Sequence, residues 1–343
     1  LNVLSLFDGI SCGYLALQRA KIPIKNYYAY EIDKYALKIS QTRFPQIQHF
    51  GDVRGADFSC HKNIHLLIGG SPCQDLSIAK RNRKGLNGEK SCLFWEYVRA
   101  LKEVRPKYFL FENVSSMSKN DKNIITKALV VEPILINSAL VSAQNRKRLY
   151  WTNIPNITHP KDKGLKLEDI LENGNAFTKK SYCLTTNIGG ACLNNTLKKH
   201  MNTMIAVPVD NKENRICDHL ELRKDKKSNA LTAITKDYMV CKPLKIGTLG
   251  KKNSIGSSVY SVKGKSICLL ANGGGLGSKT GLYKIDLPDG DYYVRKLTPL
   301  ECERLQTLPD NFTNVGISNT QRYKCLGNAW TVDVIAHIFS FIE

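Results

Sequence analysis

A compact apolar run, Val3-Leu4-Ser5-Leu6-Phe7, is cut by Asp8-Gly9-Ile10-Ser11-Cys12-Gly13, and Tyr14-Leu15-Ala16-Leu17 then takes up helical spacing. Strand, glycine turn and helix in that order open a doubly wound α/β sheet. The pattern recurs. Tyr27-Tyr28-Ala29-Tyr30 reads as a second strand, closed by Glu31 eighteen positions after Gly13. An acidic residue at that place in a nucleotide-binding sheet commonly accepts hydrogen bonds from ribose hydroxyls. Gly51-Asp52-Val53 ends the next unit, where Asp52 is a candidate to hold an adenine amino group. Leu66-Leu67-Ile68 is a short buried strand running into Gly69-Gly70, and Tyr108-Phe109-Leu110-Phe111 is another.

Reactive residue types cluster at the ends of these runs. Cys73 follows Ser71-Pro72, and the proline fixes the backbone ahead of a potential nucleophile. A buried structural thiol is the ordinary alternative. Glu112 and Asn113 end the Tyr108–Phe111 strand, where a carboxyl group facing low dielectric can share or donate a proton, unless it merely caps the next turn. Gln144-Asn145-Arg146-Lys147-Arg148 lies between a predicted strand over 134–141 and a second over 149–151. Alternation puts Arg146 and Arg148 on one face. Their forked donors suit a phosphate or a substrate carbonyl, or else form a solvated sheet edge. Lys80 to Gly88 is basic and punctuated by glycine, either a surface loop or one suited to closing over a nucleic-acid backbone.

Charge narrows the partner. Fifty Lys+Arg against thirty Asp+Glu give +20, which favours a polyanion such as nucleic acid. No stretch approaches the roughly 18 uninterrupted apolar residues of a membrane span, so no membrane partner is expected. The first residues run directly into a strand, so no signal peptide is expected either. Eleven cysteines form no Cys-x-x-Cys pair, and Cys60-His61 with His65 lacks a second ligand pair. A reducing cytoplasm and no metal are the expectation.

Phe7-Asp8-Gly9, Pro72-Cys73, Glu112-Asn113-Val114, Gln144 to Arg148 and Gly327-Asn328 together, in this order, resemble the DNA cytosine-5 methyltransferase family of bacteria and phages. The resemblance covers both ends of the chain. It implies a doubly wound, Rossmann-like methyltransferase sheet with a smaller, mostly β target-recognition domain inserted. It also implies methyl transfer from S-adenosylmethionine, leaving S-adenosylhomocysteine, to C5 of a cytosine flipped out of double-stranded DNA through a covalent adduct between Cys73 and C6. Carried over residue by residue, the catalytic set is Cys73, Glu112, Arg146 and Arg148. The cofactor contacts are Phe7, Gly9, Glu31, Ile32, Asp52, Val53, Pro72, Leu93, Asn328 and Ala329. One departure is the first loop, which lacks the family's common Gly-x-Gly and looks like the animal de novo branch and its bacterial or phage relatives.

From about residue 155 to 294 the regular βα alternation stops. The region holds 22 Lys+Arg and 13 Asp+Glu, a positive density close to that of the whole chain, so its position and not its charge marks it as the DNA reader. The expected division is a catalytic and cofactor-binding part over 1–154, target recognition over 155–294, and a return to the catalytic part over 295–343. DNA contacts are expected from Gln74, Ser77, Arg81, Arg83 and Lys84, and from Asn272, Gly273, Gly274, Lys279 and Thr280. Cys268 stands where the family usually has threonine. Thr298-Pro299 with an acidic first turn predicts a capped helix, and a last helix is predicted over 331–341, beside the first strand. A monomer acting on DNA in the cytoplasm is the expected state, with a cognate restriction endonuclease as candidate partner. The tRNA-methylating branch shares several motifs but has a short recognition region. A non-catalytic DNA-binding relative would lack Cys73 or Glu112, and a dehydrogenase would need a better dinucleotide fingerprint.

Overall fold

The computed structural model describes residues 1–73, 75–76, 85–88, 91–173, 175–176, 180–181, 183–184, 204–208, 221–223, 238–240, 245–248, 258–261, 282–284 and 292–343. The chain divides into two units. One comprises Leu1–Ile170, Tyr182–Gly189 and Thr298–Glu343, the other Leu171–Ser181 and Gly190–Leu297.

The first unit is built on seven strands: β1 (Asn2–Leu6), β2 (Asn26–Tyr30), β3 (Gln48–Phe50), β4 (Leu66–Gly69), β5 (Tyr108–Val114), β6 (Ile134–Asn137) and β7 (Lys147–Thr152). Their order is β3-β2-β1-β4-β5-β7-β6. The pairs from β3 to β5 are parallel, while β7 runs antiparallel to both β5 and β6. Winding reverses between β1 and β4, and ligands of such sheets bind in the crevice beyond the strand ends at that point. Strands β4 and β5 are buried along their whole length, which is why they read as unbroken apolar runs.

Among the strand limits that differ from the sequence reading, two bear on the site. Strand β5 runs on through Glu112-Asn113-Val114, because the antiparallel ladder with β7 continues to Val114 opposite Arg148. Strand β6 stops at Asn137, four residues before the predicted Val141. There the Asn137 side chain accepts from Ala139 N at 3.2 Å and Arg146 N at 2.9 Å, turning the chain into a short 3-10 segment.

Helices α1 (Cys12–Arg19), α2 (Lys34–Arg43), α3 (Phe94–Val104), α4 (Lys119–Leu129), α5 (Pro299–Leu305), α6 (Asn319–Asn328) and α7 (Val332–Phe339) cover this sheet. Asp33 caps α2 and Ser118 caps α4 through their side chains. Helix α5 starts as the spacing predicts: Thr298 and Glu301 form a reciprocal capping box with Pro299 at the first helical position. Helix α7 packs against α1, tied by Arg19 to Asp333 at 2.6 Å. Leu4, Leu6, Leu67, Phe94, Tyr97, Phe111 and Trp151 share one core cluster under the strand ends.

The second unit is made of short strands. Strand β15 (Tyr292–Lys296) pairs antiparallel with β9 (Met204–Pro208), which pairs antiparallel with β8 (Asn175–Ala176). Strands β10 (Glu221–Arg223) and β11 (Tyr238–Val240) form a parallel pair. Strands β12 (Lys245–Thr248), β13 (Ser258–Ser261) and β14 (Leu282–Lys284) make a third sheet.

Candidate active site

The carboxyl ends of β4 and β5 and the start of β7 meet at one edge of the sheet. Glu112 is buried on β5, 8% exposed, opposite Tyr150 of β7. The chain leaving β4 passes directly over it. A Cβ on Gly70 would sit 3.0 Å from Glu112 Oε2, 3.2 Å from its carbonyl oxygen and 3.3 Å from Trp330 Nε1. Glycine at position 70 is therefore a matter of close approach. The next residue is tied to β5: Asn113 Nδ2 donates to Ser71 O at 3.3 Å and to Ser71 Oγ at 3.4 Å. Pro72 O accepts from Ser91 Oγ at 3.1 Å. Fastened on both sides, this loop carries the half-buried Cys73 beside the core cluster.

Charge is arranged around that thiol. Arg148 Nε meets Glu112 Oε1 at 2.8 Å, with side chains 13% and 11% exposed, and Trp330 Nε1 donates to Glu112 Oε2 at 3.2 Å. Arg148 also donates through Nη1 to Lys147 O at 2.9 Å and through Nη2 to Cys183 Sγ at 3.7 Å. Burial pushes the Cys73 thiol above its ordinary value; Arg148 pulls it down, Glu112 pushes it up and Arg146 pulls it down. At Cys183 burial acts the same way, but Arg146 and Arg148 overcome it and hold that thiol below its ordinary value. Tyr150 is raised by burial and by Glu112.

Both arginines reach Cys183 Sγ, Arg146 from just before β7 and Arg148 from within it, but they do not share a task. Arg146 is 4% exposed, and its guanidinium is spent mainly on backbone carbonyls. It donates to Ala329 O at 2.9 Å, Leu184 O at 3.2 Å and Gly327 O at 3.3 and 3.4 Å, and to Cys183 Sγ at 3.4 Å. Arg146 ties chain segments together, while Arg148 faces the carboxyl group.

A second group of residues lines the crevice beyond β1 and β2. Phe7, Gly9 and Ser11 all have left-handed backbones, with φ of 58°, 62° and 59°. Gly9 N donates to Glu31 Oε2 at 2.8 Å, and Glu31 Oε1 accepts from Ile32 N and Asp33 N, each at 2.8 Å. A carboxylate offers about four lone-pair sites, so one remains for a hydroxyl. Burial pushes the Glu31 carboxyl above its usual value against those three donors. Ile32 is 66% exposed beside it, and beyond its own chain neighbours no described residue comes within 4 Å of a Cβ built on Gly9. Asp52 is engaged by Arg54, Nη2 to Oδ2 at 2.5 Å, which holds its carboxyl below the usual range. Val53 is buried, Leu93 leads into α3, Asn328 is the exposed last residue of α6, and Ala329 is buried after it.

Gln74, Ser77, Arg81, Arg83, Lys84, Asn272, Gly273, Gly274, Lys279 and Thr280 lie outside the described residues, as does Cys268. Sequence reasoning did not assign Gly70, Trp330 or Cys183. Trp330 is half-buried and its N–H finds a partner in Glu112, as indole donors commonly do, but nothing local in the sequence marks that partner or Cys183.

Comparison with known proteins gives a consistent picture. The family model for C-5 cytosine-specific DNA methylase matches residues 1–343. The chain is 28% identical over 433 residues to orphan methyltransferase M.SPRI of Bacillus phage SPR, covering 99% of this chain and 96% of that one. It is 26% identical over 354 residues to type II methyltransferase M.HhaI of Haemophilus parahaemolyticus, covering 98% and 93%. Among solved structures, Entamoeba histolytica methyltransferase EhMeth matches with a TM-score of 0.58 at 16% identity over 99% and 97% of the two chains, a likeness of fold.

Proposed function

The chain belongs to the C-5 cytosine-specific DNA methylase family and is a DNA cytosine methyltransferase; from that premise we propose that it works through a covalent adduct on a base flipped out of double-stranded DNA, with S-adenosylmethionine as methyl donor. The observation that carries this reading is the buried Glu112–Arg148 pair with Trp330, set against the loop that bears Cys73.

Cytosine C5 is too weak a nucleophile to take a methyl group unaided. Addition of the Cys73 thiolate to C6 breaks the ring's aromaticity and puts electron density on C5. Glu112 holds N3 and the exocyclic amine as charge develops, and Arg148 holds O2. Once C5 carries the methyl group, loss of the C5 proton would expel the Cys73 thiolate from C6 and restore the aromatic ring. Because burial raises the Cys73 thiol, its proton leaves late, and Arg148, the largest lowering influence on it, favours the thiolate. Arg146 acts at one remove, holding Gly327 and Ala329 where Trp330 can meet Glu112. A base within a duplex is out of reach of this pocket, hence the flip.

The crevice residues fit the proposed donor. Glu31 keeps one acceptor site for a ribose hydroxyl, exposed Ile32 offers an apolar face to a purine, and Gly9 leaves open the space a side chain would fill. Phe7, Asp52, Val53, Pro72, Leu93, Asn328 and Ala329 complete the proposed contacts. When bound, S-adenosylmethionine supplies an electrophilic methyl group. We assign target recognition to the region over 155–294 and DNA-backbone contacts to the basic loop after Cys73. We also read the protein as a monomer acting on cytoplasmic DNA, with or without a restriction partner.

The test uses duplex DNA carrying 5-fluorocytosine, which blocks loss of the C5 substituent, together with bisulfite sequencing of plasmid from a methylation-free host. The wild-type chain is expected to form a denaturant-resistant protein–DNA adduct at one sequence context, and Cys73→Ser none. Methylation by Cys73→Ser, or adduct formation on RNA alone, would overturn the reading.

A further inference from the structure

The loop between β1 and α1 carries a feature that the reaction above does not use. Asp8 is half-buried and accepts three hydroxyl hydrogen bonds: from Ser5 Oγ at 2.6 Å, from Tyr27 Oη at 2.7 Å, and from Ser11 Oγ. Burial pushes its carboxyl up while these three donors pull it down. Ser11 stands at the N-cap of α1 with φ 59° and ψ 39°, a left-handed conformation that disfavours a residue bearing a Cβ. Each hydroxyl has a single proton, so the neighbours of Ser11 read in one direction. Ser11 donates to Asp8; Ser40 Oγ, 2.5 Å away, must donate to Ser11; and His49 Nε2, 3.1 Å from Ser40, must donate to Ser40. The chain of donors ends on the Asp8 carboxylate.

We propose that Asp8 is a positioning residue for cofactor binding: it clamps Ser11 in the left-handed turn and so fixes the backbone that presents Gly9 N to Glu31. This rests on the reading of the crevice as the S-adenosylmethionine site. It also accounts for the departure from Gly-x-Gly, since a clamped serine does here what an unclamped glycine does by having no Cβ. Asp8 N donates to Tyr30 O at 3.0 Å and Ser11 N to Asp8 O at 3.2 Å, so its backbone lies in the same turn that its side chain locks.

The experiment is a rescue. Affinity for S-adenosylhomocysteine is measured by calorimetry on the full chain, and turnover at saturating S-adenosylmethionine is measured alongside. Asp8→Asn is expected to weaken binding about tenfold, the weight of a left-handed penalty on an L-residue, with turnover at saturation within about threefold of wild type. Adding Ser11→Gly is expected to restore most of that affinity, because glycine needs no clamp. In the same Asp8→Asn background, Ser11→Ala is expected not to restore it. Binding by Asp8→Asn equal to wild type, or equal effects of glycine and alanine at position 11, would overturn the clamp. So would a loss confined to turnover.

If Asp8→Asn does not fold, the single variants Ser11→Gly and Ser11→Ala carry the test. Only alanine keeps the Cβ without the hydrogen bond, so about fivefold weaker binding is expected for alanine than for glycine. Failure of the wild-type chain to bind S-adenosylhomocysteine would remove the cofactor reading instead. Melting temperatures would then decide the clamp, glycine above alanine supporting it and equality refuting it.

Discussion

The Glu112–Arg148 pair lends itself to a double-mutant cycle. At an effective dielectric of 20, unit charges about 4 Å apart attract by about 4 kcal/mol, and desolvation offsets part of that. Both side chains are nearly buried, 11% and 13% exposed, so solvent screens the pair little. Removing one partner from such a pair strands the other, and losses of about 3–5 kcal/mol are typical. Arg148→Met is expected to destabilise by about 3 kcal/mol, because Glu112 keeps only Trp330 among the described donors. Glu112→Gln is expected to cost about 2 kcal/mol, since Arg148 retains Lys147 O and Cys183. The double variant is expected to lose about 3 kcal/mol in all, a coupling of about 2 kcal/mol. Urea unfolding followed by tryptophan fluorescence reads the right unit, since Trp95, Trp151 and Trp330 all belong to the first. A buried pair also keeps its coupling between low and high salt. Single-variant losses that add to within about 0.5 kcal/mol would show that the pair does not act in solution and would refute the electrostatic argument.

Three further outcomes are expected. Gly70→Ala pushes a methyl group against Glu112 Oε2 and the Glu112 carbonyl; it should cost about 1–3 kcal/mol and lower turnover by more than that destabilisation explains, read by pairing unfolding with methylation assays. Because burial raises the Cys73 thiol, alkylation at that residue should be slow at neutral pH and still rising beyond the ordinary thiol range; a rate already flat by about pH 8 would contradict the assignment. Asp33 caps α2 and pairs with Lys324 at 2.6 Å, and its carboxyl lies below the usual value. A depressed carboxyl stabilises above its unfolded pKa and loses that contribution as pH falls through the folded one. Asp33→Ala should therefore cost about 1 kcal/mol at neutral pH, with the difference from wild type shrinking in acid as pH falls through the lowered carboxyl.

Much of this arrangement is legible in the sequence because it is local. The first strand, turn and helix, the Thr298 capping box and the placing of Cys73 after β4 and of Glu112 toward the end of β5 follow from patterns within a dozen residues. What was missed depends on distant chain. Trp330 reaches Glu112 across 218 positions, and Arg146 finds Gly327 and Ala329 across 181 and 183. Alternation puts Arg146 and Arg148 on one face but cannot say that one meets carbonyls and the other a carboxylate. The early end of β6 turned on a side-chain amide, Asn137, competing for backbone donors, which propensity does not register. Left-handed Ser11 likewise looks like a missing glycine until Asp8 is seen against it.

The bonds from Arg146 to Gly327 and Ala329 also carry a consequence for biosynthesis. When Arg146 leaves the ribosome, three of its carbonyl partners have not been made. At roughly 5–20 residues per second, Ala329 follows some ten to forty seconds later. Until then the Arg146 guanidinium lacks its Gly327 and Ala329 acceptors, and Glu112 waits for an indole that has not been translated. The pocket is thus among the last parts of the nascent chain to close, and a ribosome that stalls before the final helices releases a protein with its nucleophile and no finished place to use it.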